Sequence, residues 1–203
     1  VEGHCQAHSF ASCHYVLGTF YAQQQNFDAA EQELRKSLGM DDKAVRTYRQ
    51  LAKVYVYKRD AVNYEATLTD AIESTNSVEM KFDLATFFFG QKKYQQSVDI
   101  YEEIIAANPE RALAAKNNVS MIYVDYLSSD ENQLLAQSYI ADLQESDNPA
   151  YLDTVGWVSY KLGDYDQAVT YVKAAVDKVG DHPLLRFHLG MAYYKAGDME
   201  LAK

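Results

Sequence analysis

The chain is short of several things that would settle its chemistry. Among 203 residues there are two cysteines, one tryptophan and three prolines, and no apolar run approaches the roughly 18 residues that a membrane span needs. No transmembrane segment is expected. The amino end, VEGHCQAHSF, has neither the basic start nor the apolar stretch of a targeting peptide. It opens on Val1 rather than Met, which is what a mature or excised piece would show. Two cysteines cannot build a disulfide framework, and a bridge between Cys5 and Cys13 would close only a short loop. The redox compartment stays open. Positive charge is also scarce: 19 Lys and Arg stand against 29 Asp and Glu, a net charge of -10. Binding to a phosphate backbone needs clustered cations, so nucleic acid is not an expected partner.

Catalytic motifs are missing too. The sequence holds no glycine-rich phosphate loop, no His-Glu-x-x-His and no Gly-x-Ser-x-Gly, and its carboxylates are scattered along outward helix faces. No enzyme activity and no cofactor are expected. One cluster has metal-ligand chemistry: His4, Cys5, His8, Cys13 and His14, with His4 and His8 four apart. Its spacing is poor and Cys-x-x-Cys is absent. A frayed end, with Cys13 buried and His14 exposed ahead of the first repeat, is expected instead of a metal site.

What the sequence does have is an internal period. LDTVGWVSYKLGDYDQAV returns 34 residues later as RFHLGMAYYKAGDMELAK, keeping Pro149/Pro183, Gly156/Gly190, Tyr160/Tyr194, Lys161/Lys195, Gly163/Gly197, Asp164/Asp198 and Ala168/Ala202 in register. Walking back, an apolar residue followed by a small one recurs at Gly18, Ala52, Ala85, Ser120, Gly156 and Gly190, at steps of 34, 33, 35, 36 and 34 residues. Six units are visible. The longest step takes up a small insertion in YLSSDENQ.

Each unit reads as two helices. Val45, Tyr48, Leu51, Ala52 and Tyr55 follow the i, i+3, i+4, i+7 spacing of one helix face. In the next segment Phe27, Ala30, Leu34 and Leu38 form the apolar face of a second helix, with Glu31, Glu33, Arg35 and Lys36 expected in water. Pro109, Pro149 and Pro183 break the pattern between units. The periodicity predicts helices over 11–24, 27–39, 45–58, 61–75, 78–91, 94–107, 112–127, 131–145, 149–162, 165–179, 183–196 and 198–203. The small residue is where two helices approach closely, and the aromatic three residues on fills the space beside it. A hairpin of this kind cannot bury its apolar face alone, so neighbours stack into an all-α, right-handed solenoid of antiparallel hairpins.

These residues resemble the tetratricopeptide repeat. The resemblance covers 11–203 as one domain, with repeats at about 11–44, 45–77, 78–112, 113–148, 149–182 and a partial unit at 183–203, and a flank at 1–10. Tyr64 and Leu134 depart from the small residue usual on the second helix, and Ser159 from the usual aromatic. The last two repeats are also similar to the closing repeats of bacterial envelope-associated members, including lipoproteins linked to exopolysaccharide export. That likeness implies a periplasmic or membrane-associated setting rather than a cytoplasmic one.

The family resemblance implies a concave groove, lined by first helices, that holds a partner protein or peptide. Carried over by position, the groove residues are Tyr15 and Thr19; Arg46, Arg49, Lys53 and Tyr57; Phe82, Thr86 and Phe89; Asn117 and Met121; Asp153, Trp157, Tyr160 and Lys161; and Phe187, Met191, Tyr194 and Lys195. Arg46, Arg49 and Lys53 form a basic strip in an acidic protein. Trp157, Tyr160, Met191 and Tyr194 form an aromatic zone, with the Trp157 indole expected in the groove as a binding anchor. Tyr15 and Thr19 stand where a chaperone-tail clamp needs Lys and Asn, so chaperone tails are not expected ligands. The alternative is a spacer or assembly adaptor working through its edges. The sixth hairpin is cut at Lys203, so the native chain is expected to continue, and the uncapped end is an expected place for end-to-end self-association.

Overall fold

A computed structural model describes residues 10–180 and 182–202. Its eleven helices are α1 (Ala11–Gln23), α2 (Phe27–Met40), α3 (Val45–Lys58), α4 (Ala61–Thr75), α5 (Val78–Gly90), α6 (Tyr94–Ala107), α7 (Ala112–Asp125), α8 (Asp130–Ala141), α9 (Pro149–Leu162), α10 (Tyr165–Val179) and α11 (Pro183–Ala196). The described residues contain no strand. Contacts group the chain into two units, Val1–Gly90 with α1–α5 and Gln91–Lys203 with α6–α11. Within each unit, helices adjacent in sequence pack on one another.

The turn inside each hairpin explains why Gly-Asp repeats. Gln25, Arg59, Lys92, Gly163 and Gly197 all take positive φ, between 56° and 91°. After four of them, the next residue's amide reaches the carbonyl five back: Asn26 to Tyr21, Asp60 to Tyr55, Asp164 to Ser159 and Asp198 to Tyr193, each at 2.9 Å. This is a Schellman-type helix stop. The same Asn26, Asp60 and Asp164 then cap α2, α4 and α10, their side chains accepting from Ala29, Asn63 and Gln167 at 3.3, 3.0 and 3.1 Å. One dipeptide thus ends one helix and starts the next. Only the last two units use glycine for the left-handed residue, which costs a side-chain-bearing residue about 1–2 kcal/mol.

The close approach falls where the small residues are. A Cβ built on Gly18 would sit 2.7 Å from Leu34 Cγ and 3.1 Å from the Ala30 carbonyl. At Gly156 it would collide with Val172 Cγ2 and crowd the backbone of Val172 and Ala168. Ala85 and Ser120 are fully buried. Gly190 departs from the rule, since its nearest such neighbour is the Ala202 carbonyl at 3.6 Å.

The core of the first unit gathers Ala30, Leu34, Leu51, Val54 and Tyr55, with Tyr21, Phe27 and Tyr64 packed around it. In the second unit Leu152, Ala175 and Leu185 tie α9, α10 and α11 together. The atypical residues find local solutions. Tyr64 packs on Phe87 at 5.1 Å between centroids, Leu134 is exposed, and Ser159 Oγ lies 2.7 Å from both the Val155 carbonyl and the Gln167 side-chain amide.

Four local expectations are corrected. Residues 199–202 form turns rather than a helix over 198–203, because a single turn does not recover the cost of helix nucleation. α8 stops at Ala141 instead of 145: Leu143 bonds back three residues to Ile140 at 3.0 Å, which turns its side chain into the core. Glu33 does not face water but is buried against α1. His14, expected outside, is its buried partner, with Nδ1 2.6 Å from the Glu33 carboxylate.

Candidate functional site: the first-helix face

In the first unit the face is open. Arg46, Arg49 and Lys53 are exposed on α3, and none of the three makes an ion pair among the described residues. The Arg46 guanidinium lies over the Tyr15 ring at 4.9 Å. Between α1 and α3 runs a cleft of about 550 Å³, lined by Thr19, Gln23, Gln25, Gln50, Lys53 and the rings of Phe27 and Tyr57 among others, and by no acidic residue. Phe27 and Tyr57 stack with centroids 5.4 Å apart and planes 7° from parallel. Tyr57 is 69 % exposed, so this stacked pair forms an open apolar wall beside the Lys53 ammonium. On the far side of α3 a second cleft, of about 370 Å³, lies against α4 and α5. Phe82 is half-buried and Phe89 exposed on α5.

Behind the strip, a polar network fixes α3 against α2. Glu31 accepts from the Tyr55 hydroxyl at 2.7 Å, from Lys58 at 2.8 Å and from Arg35 at 3.1 Å. Burial would raise the Glu31 carboxyl, but the hydrogen bonds from Lys58, Tyr55 and Arg35 outweigh it and hold the group below its ordinary value. Tyr55 is pushed up to about 12, by burial first and then by its bond to Glu31. α3 is therefore a rigid platform for the exposed cations.

In the second unit the same face is largely occupied by its own side chains. Trp157 is 9 % exposed, which corrects the expectation of a free anchor. Its Nε1 donates to both Asp125 carboxylate oxygens at 3.2 Å, and its ring stacks with His188 at 4.1 Å and with Tyr160 at 5.0 Å. The groove position is right and the role differs: an indole between α7 and α11 gains more by filling the gap than by facing water. Asp153 is likewise buried, 2.8 Å from His188 Nδ1. Asn117 accepts from Thr154 at 2.8 Å, and Lys161 pairs with Asp125 at 2.8 Å while lying over the Trp157 ring. Met191 is half-buried. Phe187 and Tyr194 stay open, at 55 % and 53 %.

Sequence reasoning did not single out Asp125, His188 or the glutamines of the first cleft. Asp125 was findable, since it stands 36 residues before Lys161, the step between their two repeats. His188 was not, because its partner lies on another helix. Of the amino-terminal cluster, His4, Cys5 and His8 lie outside the described residues. Cys13 is disulfide-bonded and half-buried rather than buried, and His14 is committed to Glu33. Among the described residues no group of three or more His, Cys, Asp and Glu is placed to hold a metal ion.

Two family models match the chain, both described as tetratricopeptide repeat, one over residues 11–44 and one over 156–202. Tetratricopeptide repeats thus stand at both ends of the chain. Solved structures of similar fold include PilF of Pseudomonas aeruginosa, at 17% identity and a TM-score of 0.69, over 95% of this chain and 86% of that one. PilW, described as a widely conserved type IV pilus biogenesis factor, gives 15% identity and a TM-score of 0.69 over 95% and 88%. YrrB, described as a repeat protein of this family with an unusual peptide-binding site, gives 16% and 0.66 over 91% and 94%. At these identities the likeness is one of fold. No curated protein is similar enough in sequence to count as a relative. No described helix is long and apolar enough to cross a membrane.

Proposed function

We propose that this tetratricopeptide repeat protein is a non-catalytic scaffold that holds an extended, acidic segment of a partner protein on the first-helix face of α1, α3 and α5. The observation that carries the reading is the cleft between α1 and α3. Its lining offers one ammonium, three side-chain amides and a stacked aromatic pair, with no carboxylate to neutralise them. In a chain of net charge -10, Arg46, Arg49 and Lys53 concentrate positive potential along one helix, which steers a carboxylate towards the rings. An envelope setting is part of the proposal, resting on the resemblance of the closing repeats and on a fold shared with a pilus biogenesis factor.

The test is an array of decapeptides carrying a single glutamate among neutral residues, probed with the wild type and with Arg49→Gln/Lys53→Gln. Spots bound by the wild type and lost by the variant support the reading, and raising the salt should weaken them. Equal binding by both proteins refutes it.

A second reading rests on Gly190. Among the described residues, the face of α11 at Gly190, which other first helices bury against a second helix, meets the 199–202 turn, where Met199 and Leu201 are more than half exposed. An end-to-end contact between copies through this face would show as a concentration-dependent mass in analytical ultracentrifugation, abolished by Leu201→Glu. A monomer at all concentrations removes it.

A further inference from the structure

The second cleft of the first unit has the opposite chemistry to the first. Val56, Ala61, Tyr64 and Phe87 supply apolar wall, and Asp83 stands on the α5 side. Among the described residues Asp83 has no hydrogen bond and no ion pair. Burial pushes its carboxyl above the ordinary value, Glu79 adds to the shift, and the attraction of Arg49 does not offset them. The other charges lining the cleft do not satisfy it. Asp60 is bound to the backbone and side chain of Asn63, at 3.0 and 2.7 Å, as the cap of α4. Arg59, at the left-handed turn position, also lines the cleft and makes no ion pair among the described residues. Asp83 is an exposed carboxylate at the rim of an apolar cleft, and with no side-chain partner among the described residues it is free to take a cation.

We propose that the cleft between α3 and α5 is a specificity subsite for a lysine or arginine side chain of the bound segment, with Asp83 as its counter-ion and Tyr64 and Phe87 holding its methylene stem. The inference rests on the groove reading above and adds a pattern to it. The two clefts flank α3, so their centres stand about one helix diameter, roughly 10 Å, apart. An extended chain rises about 3.3 Å per residue. The segment that fits carries its acidic residue opposite Lys53 and its basic residue about three positions away, opposite Asp83. Long cationic side chains suit such a site because the stem buries while the head reaches the charge.

The experiment extends the glutamate array. Glutamate is fixed at the centre of each decapeptide and a single lysine is moved through every other position, with norleucine as the neutral control for the stem. The wild type should prefer lysine two to four residues from the glutamate, on one side only, by about threefold over norleucine. Asp83→Asn should erase that preference while keeping the binding of glutamate-only peptides. Asp83→Lys should turn it against lysine. Because Asp83 has no hydrogen bond among the described residues, both variants should melt with the wild type by circular dichroism. If glutamate-only peptides bind but lysine position is immaterial, or if Asp83→Asn keeps the preference, this inference falls and the groove reading stands. If no peptide binds even the wild type, both fall.

Discussion

Gly156→Ala and Gly190→Ala are the same change at equivalent places 34 residues apart, and the structure gives them opposite signs. Alanine is the better helix former, worth roughly 0.5–1 kcal/mol over glycine in a helix interior. At Gly190 nothing opposes that gain, the nearest atom being the Ala202 carbonyl at 3.6 Å. At Gly156 the new methyl meets Val172 Cγ2 below contact distance, with the Val172 nitrogen at 3.0 Å and the Ala168 oxygen at 3.1 Å behind it. Two of these three atoms are backbone, and Val172 is 1 % exposed, so relief requires α9 and α10 to part. Overpacking of this kind costs about 1–3 kcal/mol, which exceeds the propensity gain and leaves a net loss of about 1–2 kcal/mol. For a chain of this size 1 kcal/mol moves Tm by about 2–4 °C. Gly156→Ala should melt several degrees below the wild type and Gly190→Ala slightly above it. Circular dichroism at 222 nm, with urea titrations read by midpoint because two contact units need not unfold together, separates the pair. A neutral Gly156→Ala, or two shifts of the same sign, would refute the close-contact reasoning.

Three further outcomes are expected. Arg59→Gly and Lys92→Gly should each raise stability by up to about 1 kcal/mol by relieving a left-handed side-chain-bearing residue, and Gly163→Ala should lower it by about 1 kcal/mol or more; thermal melts that ignore all three would remove the turn argument. Glu31, held below its ordinary carboxylate value, contributes stability that is present above that value and lost as pH falls through the lower native one. The Tm gap between wild type and Glu31→Gln should therefore be wide at pH 7 and close in strong acid, and a gap independent of pH counts against it. Trp157→Ala should cost about 3–5 kcal/mol of stability as a large-to-small core change, so any loss of a binding partner in that variant must be compared with its melting curve; an unchanged melt would restore Trp157 as a surface anchor.

The helices were legible because their signals are local. Val45, Tyr48, Leu51 and Tyr55 mark one face by spacing alone, and Asn148-Pro149 and His182-Pro183 announce the starts of α9 and α11. The hairpin contact was legible because sterics leave few choices beside a crossing helix, and Gly18 and Gly156 proved to be those places. What stayed hidden depends on pairs far apart in sequence. His14 looked like an exposed residue until Glu33, 19 positions on, was seen to bury with it. Trp157 looked free because Val155, Gly156 and Val158 seemed to supply the packing, whereas Asp125 and His188 hold the indole from either side.

The residues that repeat and the residues that recognise are different sets, and this follows from what each must do. Backbone approach, helix stopping and helix capping admit only a few side chains, so Gly156 and Gly190 or Asp164 and Asp198 return in register. The groove place three residues before the small one carries Tyr15, Arg49, Phe82, Asn117, Asp153 and Phe187, six positions with five residue types and no common charge. The fold tolerates all of them, so their chemistry is available for a partner wherever the unit does not consume it. In the second unit Asn117 and Asp153 are spent on Thr154 and His188. In the first unit Arg49 and Lys53 have no ion-pair partner among the described residues, and each flank of α3 opens into a cleft. On the proposed groove reading, substitutions on α1–α5 should alter which segment is bound, whereas equivalent substitutions at Asp153 or Trp157 should alter whether the second unit stays folded.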